Sequence, residues 1–138
     1  MLTHSLKALV ASLTMMVLVG CGAGSGQDLH GVTGKVTFDN EPVKEGRILF
    51  RAVDGDQRAF SGPIENGLYK LEARPGKMRV EITASRIVPG KFDTSNPGEK
   101  VPIGEMYIPA RYNSKTELTA EVKPGSNTAD FPLTGAKK

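Results

Sequence analysis

Few residues in this chain could carry chemistry. There is one cysteine, Cys21, directly after Leu18-Val19-Gly20, and past the first twenty residues there is one histidine, His30. A catalytic thiol needs a base or a positive environment to become a thiolate. Cys21 instead closes an apolar run, so its chemistry is attachment rather than catalysis. A zinc site needs three or four converging Cys, His or carboxylate ligands, and His30 has no such company, so it reads as a solvated residue. Asp54-Gly55-Asp56 is the best metal candidate, because two aspartates around a glycine can offer oxygens to calcium. A calcium loop also needs further spaced ligands and a closing acid. These are missing, and the triplet reads as a polar turn. Glu45, Glu65 and Glu105 are scattered, no Ser-His-Asp arrangement is apparent, and Gly-x-Ser-x-Gly is absent. These residues point to a protein that is not an enzyme and uses no metal or cofactor.

The first twenty residues have the three parts of a secretory signal. Met1 to Lys7 carries one lysine, Ala8 to Val19 is apolar, and Gly20 is the small residue beside a cleavage point. A membrane-spanning helix needs roughly 20 apolar residues, so this run is short for an anchor. Leu18-Val19-Gly20-Cys21 looks like the lipobox of a bacterial lipoprotein signal. That resemblance implies cleavage between Gly20 and Cys21 and a diacylglycerol on the Cys21 thiol. Two or three acyl chains hold a protein on a membrane stably where one holds it marginally. Gly22 stands where an aspartate would favour inner-membrane retention, so the outer membrane is favoured if the cell has one. The expected location is outside the cytoplasm, lipid-anchored, periplasmic or at the cell surface.

Residues 21–30 then form the lipidated cysteine and a Gly/Ser-rich flexible linker, 31–134 a single domain, and 135–138 a short tail. A phosphate loop would need a strand before the Gly-Ser-Gly stretch and a helix after it. Lys7 lies in the signal, so 17 of the 18 basic side chains remain against 15 acidic ones. Basic and acidic residues alternate, and no basic block precedes Lys137-Lys138, which argues against a nucleic-acid partner.

Beyond residue 30 the apolar residues alternate with polar ones, the period of half-buried antiparallel strands. Val32, Gly34, Val36 and Phe38 share a face, as do Tyr69, Leu71 and Ala73, and Met78, Val80, Ile82 and Ala84. Leu118, Ala120 and Val122, and then Ala129, Phe131 and Leu133, repeat the pattern. In Arg47–Val53, Ile48, Phe50 and Ala52 point inward while Leu49 and Val53 cover a second surface. Asn66-Gly67 suits a type I′ hairpin, and Pro75-Gly76 and Pro124-Gly125 suit tight turns with a positive φ at glycine. Asp39-Asn40 precedes Glu41-Pro42 where a left-handed turn is needed, and Pro132 marks an edge strand. The pattern predicts an all-β, antiparallel sandwich of about seven strands.

Residues 85–113 resist the alternation. Pro89-Gly90, Asn96-Pro97-Gly98, Pro102 and Pro109 predict a long loop, and loops of that length are often functional. Phe92 and Tyr107 are the candidate contact residues there for an envelope glycan or protein. Tyr112 is expected to anchor the chain entering the next strand.

Val32-x-Gly34-x-Val36, Gly46-x-Ile48-x-Phe50, Glu65-Asn66-Gly67-x-Tyr69-x-Leu71 and Ile108-Pro109-Ala110-Arg111-Tyr112-Asn113 together resemble the carboxypeptidase regulatory-like domains. The resemblance covers nearly all of 31–134 and is strongest to small bacterial lipoproteins with one such domain. It implies a prealbumin-like sandwich and no peptidase activity. Transthyretin-like hydrolases of purine-derived substrates use histidines and a C-terminal tyrosine motif. This chain, ending Leu133-Thr134-Gly135-Ala136-Lys137-Lys138, lacks both. The implied role is a membrane-anchored binding or structural component of the cell envelope.

Overall fold

A strand with one dry face is stable only where that face meets another. In the computed structural model, which describes residues 26–135, a sheet meets this need by curling onto itself. Its nine strands are β1 (His30–Phe38), β2 (Glu41–Pro42), β3 (Glu45–Ala52), β4 (Ala59–Glu65), β5 (Leu68–Ala73), β6 (Gly76–Thr83), β9 (Thr119–Val122), β10 (Asn127–Thr128) and β11 (Phe131–Leu133). The order is β10-β1-β5-β4-β3-β6-β9, with β2 and β11 also on β1. Pairing is antiparallel except that β10 and β11 run parallel to β1. A separate two-stranded sheet joins β7 (Ser85–Asp93) to β8 (Val101–Met106), and a 3-10 turn spans Ala110–Tyr112. The residues expected to form the signal and the lipidation site, Gly20 and Cys21 among them, lie outside the described residues, as do 136–138.

The curl can be measured from the core. On a flat sheet β11 and β3 would lie four strand spacings apart, about 19 Å. The Phe131 and Phe50 rings are 6.3 Å apart, edge to face. Tyr69 completes the group at 6.2 Å from each. The bend sits between β4 and β5, which pair only at Ile64–Tyr69 and Glu65–Leu68 before they part. Inside lie Val32, Val36, Ile48, Phe50, Ile64, Leu71, Met78, Val80, Ile82, Val122 and Leu133, one continuous cluster. Among the described residues no polar or charged side chain is buried.

The inward faces are those the alternation predicts, and so are the turns. Asn66 (φ 50°) and Gly67 (φ 78°) take the paired positive φ of a type I′ turn, and Asp39 and Asn40 do the same at 49° and 68°. Gly67 is tied on both sides: its N–H donates to Val43 O at 2.7 Å and its carbonyl accepts from Val36 N–H at 2.8 Å. Pro132 is exposed on β11, which among the described residues pairs with β1 alone, an edge position where its missing N–H costs nothing.

Three contacts seat the C-terminal strands on β1. Tyr69 Oη donates to the Ala129 carbonyl at 2.7 Å, and Ala129 N–H donates to Thr33 O at 2.9 Å. Gly34 makes the approach possible, because a Cβ there would overlap the Ala129 carbonyl. Asn127 then bridges the gap towards β9. Its amide oxygen accepts from Lys123 N–H at 2.9 Å, and its NH₂ donates to Lys123 O at 2.8 Å and to Gly31 O at 3.3 Å.

Three expectations change. The sheet has more than seven strands, but without the two-residue β2 and β10 it keeps seven, and they form a continuous ladder. Residues 85–113 are largely a β-hairpin rather than a loop. Pro89 and Gly90 fall in a bulge between the Ile87 and Phe92 pairings, where they break the alternation without ending the ladder. His30 is held rather than solvated. Its Nδ1 accepts from Gly125 N–H at 2.8 Å while Nε2 lies 2.8 Å from an Asp28 carboxylate oxygen.

The close approach at β1 makes Gly34→Ala destabilising by about 1–3 kcal/mol or more through overpacking. Gly31→Ala, with open space at its Cβ, should stay within about 0.5 kcal/mol of wild type in urea unfolding. Burial, aided by the Asp130 charge, pushes the Tyr69 phenol well above its ordinary 10.0. A raised acid contributes stability that is whole below the unfolded value and lost as pH rises above it. Tyr69→Phe should therefore cost about 0.5–1.5 kcal/mol at neutral pH. Above pH 10 wild type should lose this advantage by about 1.4 kcal/mol per pH unit, measured as parallel unfolding curves of both proteins.

Candidate functional site

The described feature with the most uncovered apolar surface is the β7–β8 hairpin. Opposed residues on paired strands share a face, so Ser85 with Met106, Ile87 with Gly104 and Phe92 with Pro102 line one side. Arg86 with Glu105 and Asp93 with Val101 line the other. Ile87 is 61% exposed, Met106 55%, Val101 52% and Phe92 48%. A lone two-stranded sheet is marginal in water without something on one face. Its ties to the domain are at its root. Tyr107 N–H donates to Ala84 O at 3.2 Å, and the Asn113 NH₂ donates to Ile82 O and Pro109 O at 3.2 Å each. Asn113 closes the Ile108–Asn113 motif, and no local pattern in the sequence marks this bridging role.

The hairpin leaves the domain at the pole opposite the start of β1. From β1, the strands β5, β4, β3 and β6 alternate in direction, so β6 runs the same way as β1. His30 starts β1 at one pole, and Phe38 and Thr83 end β1 and β6 at the other. The nine residues of β1 put roughly 27 Å between the poles.

At this far pole a cleft of about 1050 Å³ opens between the hairpin root and the end of the main sheet. Ser85, Arg86, Ile87, Gly104 and Tyr107 form one wall. Phe38 with Pro42, Glu41 and Lys44 forms a second, and Glu45, Pro63 and Glu65 a third. Tyr107 is half-buried and meets the Phe38 edge at 5.4 Å, with the Arg86 guanidinium 5.4 Å from its ring centre. Burial raises the Tyr107 phenol above its usual range, although the Arg86 charge pulls the other way. Arg86 also pairs with Glu105 at 3.4 Å, an exposed bridge of small energetic weight.

The structure does not bring the two candidate contact residues together. Phe92 stands opposite Pro102, while Tyr107 follows the end of β8, five residues or roughly 17 Å along the strand. Tyr107 belongs to the cleft and Phe92 to the outer hairpin. Tyr112 does anchor the chain: its Oη accepts from Thr134 N–H at 3.1 Å and Arg111 stacks 4.8 Å from its ring centre. Burial alone would raise the Tyr112 phenol, but the hydrogen bonds with Thr134 and the charge of Arg111 bring it below its ordinary value. Asp56 is engaged by Arg58 at 3.5 Å and Arg74 at 3.4 Å. Among the described residues no group of three or more His, Cys, Asp or Glu could hold a metal. Among the same residues no helix is long and apolar enough to cross a membrane.

No protein-family model matches the chain, and no curated protein does. Among solved structures the likeness is distant. A DUF3823 family protein from Parabacteroides merdae aligns at TM-score 0.43 and 13% identity, over 77% of this chain and 46% of that one. A 9R-lipoxygenase from Cyanothece aligns at 0.41 and 14%, over 78% of this chain and 16% of that one. The dioxygenase domain of a dioxygenase–carbohydrate-binding protein fusion from a cellulolytic Streptomyces aligns at 0.36 and 18%, over 83% and 84%. The chain thus spans less than half the length of the first two.

If the hairpin face is uncovered, its apolar side chains add little to folding. Ile87→Ser and Phe92→Ser should each shift urea stability by no more than about 0.5 kcal/mol. Phe50→Ala in the core should cost about 3–5 kcal/mol. Losses of similar size at Ile87 would mean that the hairpin is packed.

Proposed function

We propose that this chain is an exported, lipid-anchored, non-catalytic β-sandwich module of carboxypeptidase regulatory-like type. It binds a component of the cell envelope through the β7–β8 hairpin. One observation carries the reading. The domain has a complete apolar core without the hairpin, yet one face of the hairpin holds Ile87, Phe92 and Met106 in solvent. A surface of that kind marks an interaction site. The sandwich reading is supported by the bend between β4 and β5, which turns two parts of one ladder face to face around Phe50, Tyr69 and Phe131. Lipidation at Cys21 is supported by the Leu18-Val19-Gly20-Cys21 motif alone. On this reading the tether leaves the pole where β1 begins, and the uncovered hairpin leaves the other.

Two measurements test this. An alkyne-tagged fatty acid fed to cells should label the wild-type protein and leave Cys21→Ser unlabelled; label retained on the variant would rule out Cys21 as the anchor. A photo-cross-linker at Ser95, in the turn between β7 and β8, should capture one recurring envelope component in intact cells. A diffuse set of abundant neighbours would mean a spacer rather than a binding module.

A further inference from the structure

The cleft at the hairpin root has an unusual charge arrangement. Glu45 on β3 and Glu65 on β4 are register partners, so their side chains leave the same face side by side. Like charges directly opposite each other destabilise a sheet. Among the described residues neither carboxylate makes an ion pair, and nor does Glu41 on the neighbouring wall. The cations of the cleft do not balance them: Arg86 is committed to Glu105 and the Tyr107 ring, which leaves Lys44 against three carboxylates.

The shape of the surface narrows the ligand class. The apolar strip does not stop at the cleft but continues through Ile87 and Met106 to Phe92, on the same face of the hairpin. A site that runs along a strand suits an extended chain rather than a compact small molecule. A sugar would need an open aromatic face inside the cleft. Tyr107 does not offer one, since Phe38 abuts it and Arg86 lies over it, and Phe38, the other ring of the cleft, is itself partly buried against Tyr107 and the core.

We infer that the cleft and the hairpin face take an extended polypeptide segment, with a lysine or arginine side chain between Glu45 and Glu65 and apolar residues along Ile87, Met106 and Phe92. This rests on the binding role proposed above and gives that role a ligand chemistry. Complementary charge sets orientation and encounter rate, while the apolar strip supplies contact area.

The test uses the full chain in detergent and fluorescein-labelled ten-residue peptides, one alternating leucine with lysine and one alternating leucine with glutamate. The lysine peptide should bind, and the glutamate peptide should not. The double variant Glu45→Gln/Glu65→Gln should weaken binding at least tenfold, and Ile87→Ser should weaken it severalfold. Both glutamates are exposed and glutamine keeps their length, and a thermal melt checks that the fold is kept. Glu72→Gln, at the linker pole opposite Gly31, should change nothing. An equal loss in Glu72→Gln would reduce the effect to net charge and overturn the inference. So would absence of lysine-peptide binding, or binding of an N-acetylglucosamine hexamer that the glutamine variant leaves intact. The Ser95 cross-linker separates the two levels. A recurring partner still captured by Glu45→Gln/Glu65→Gln at the wild-type level overturns the cleft assignment and leaves the binding role standing. Loss of any recurring partner in the wild type overturns the role itself.

Discussion

The structure depends on closing a one-faced sheet. Among the described residues nothing outside the main ladder is large enough to cover its dry face, since the hairpin stands away and the 3-10 turn is a single turn. Closure requires the C-terminal strands to lie against β1 at backbone distance. Gly34 permits that approach, and the Tyr69 hydroxyl fixes it by holding the Ala129 carbonyl. Phe131 then reaches Phe50 across the interior. Burying three rings in edge and tilted contact adds area and geometric preference together. The close approach at Gly34 thus helps seat β10 and β11, and with them the Phe50 side of the core is closed.

Much of this was legible in the chain. Alternation identifies the inward residues from Val32 to Leu133, because one dry and one wet face is a property of each strand by itself. Turn chemistry was equally local: Asn66-Gly67 and Asp39-Asn40 take positive φ because the hairpins need it. What did not read out was long-range. The parallel placement of β10 and β11 beside β1 joins residues about a hundred positions apart, and no period encodes it. His30 seemed idle because its partner, Gly125, lies in a distant turn. Glu45 and Glu65 looked scattered because only the register sets them side by side.

The hairpin escapes a local reading for a different reason. Prolines and glycines in 85–113 are loop signals, and a local reading counts them as such. Here Pro89 and Gly90 occupy a bulge and Pro102 sits in a strand of a two-stranded sheet, where both strands are edges. Proline and irregularity on an edge also deter pairing with other chains. The surface therefore offers side chains more readily than backbone. That agrees with a ligand held by an apolar strip and a charged cleft, and it makes uncontrolled strand addition unfavourable. Of the candidate residues, Phe92 lies on the apolar face of the hairpin, while Tyr107, past the end of β8, belongs to the cleft at its root.

The central proposal is that the protein is anchored to a membrane through Cys21 and that its uncovered hairpin points away from that membrane. Its apolar residues would otherwise be explained by contact with lipid. The most direct measurement places one fluorophore on Ser95→Cys and, separately, on Gln27→Cys in the lipidated chain, with Cys21 blocked by its acyl group. Both proteins are put into vesicles that carry spin-labelled headgroups. The account predicts strong quenching at position 27 and weak quenching at 95. Equal or stronger quenching at 95 would mean that Ile87, Phe92 and Met106 enter the bilayer, and the hairpin would then be a second membrane contact rather than a docking surface.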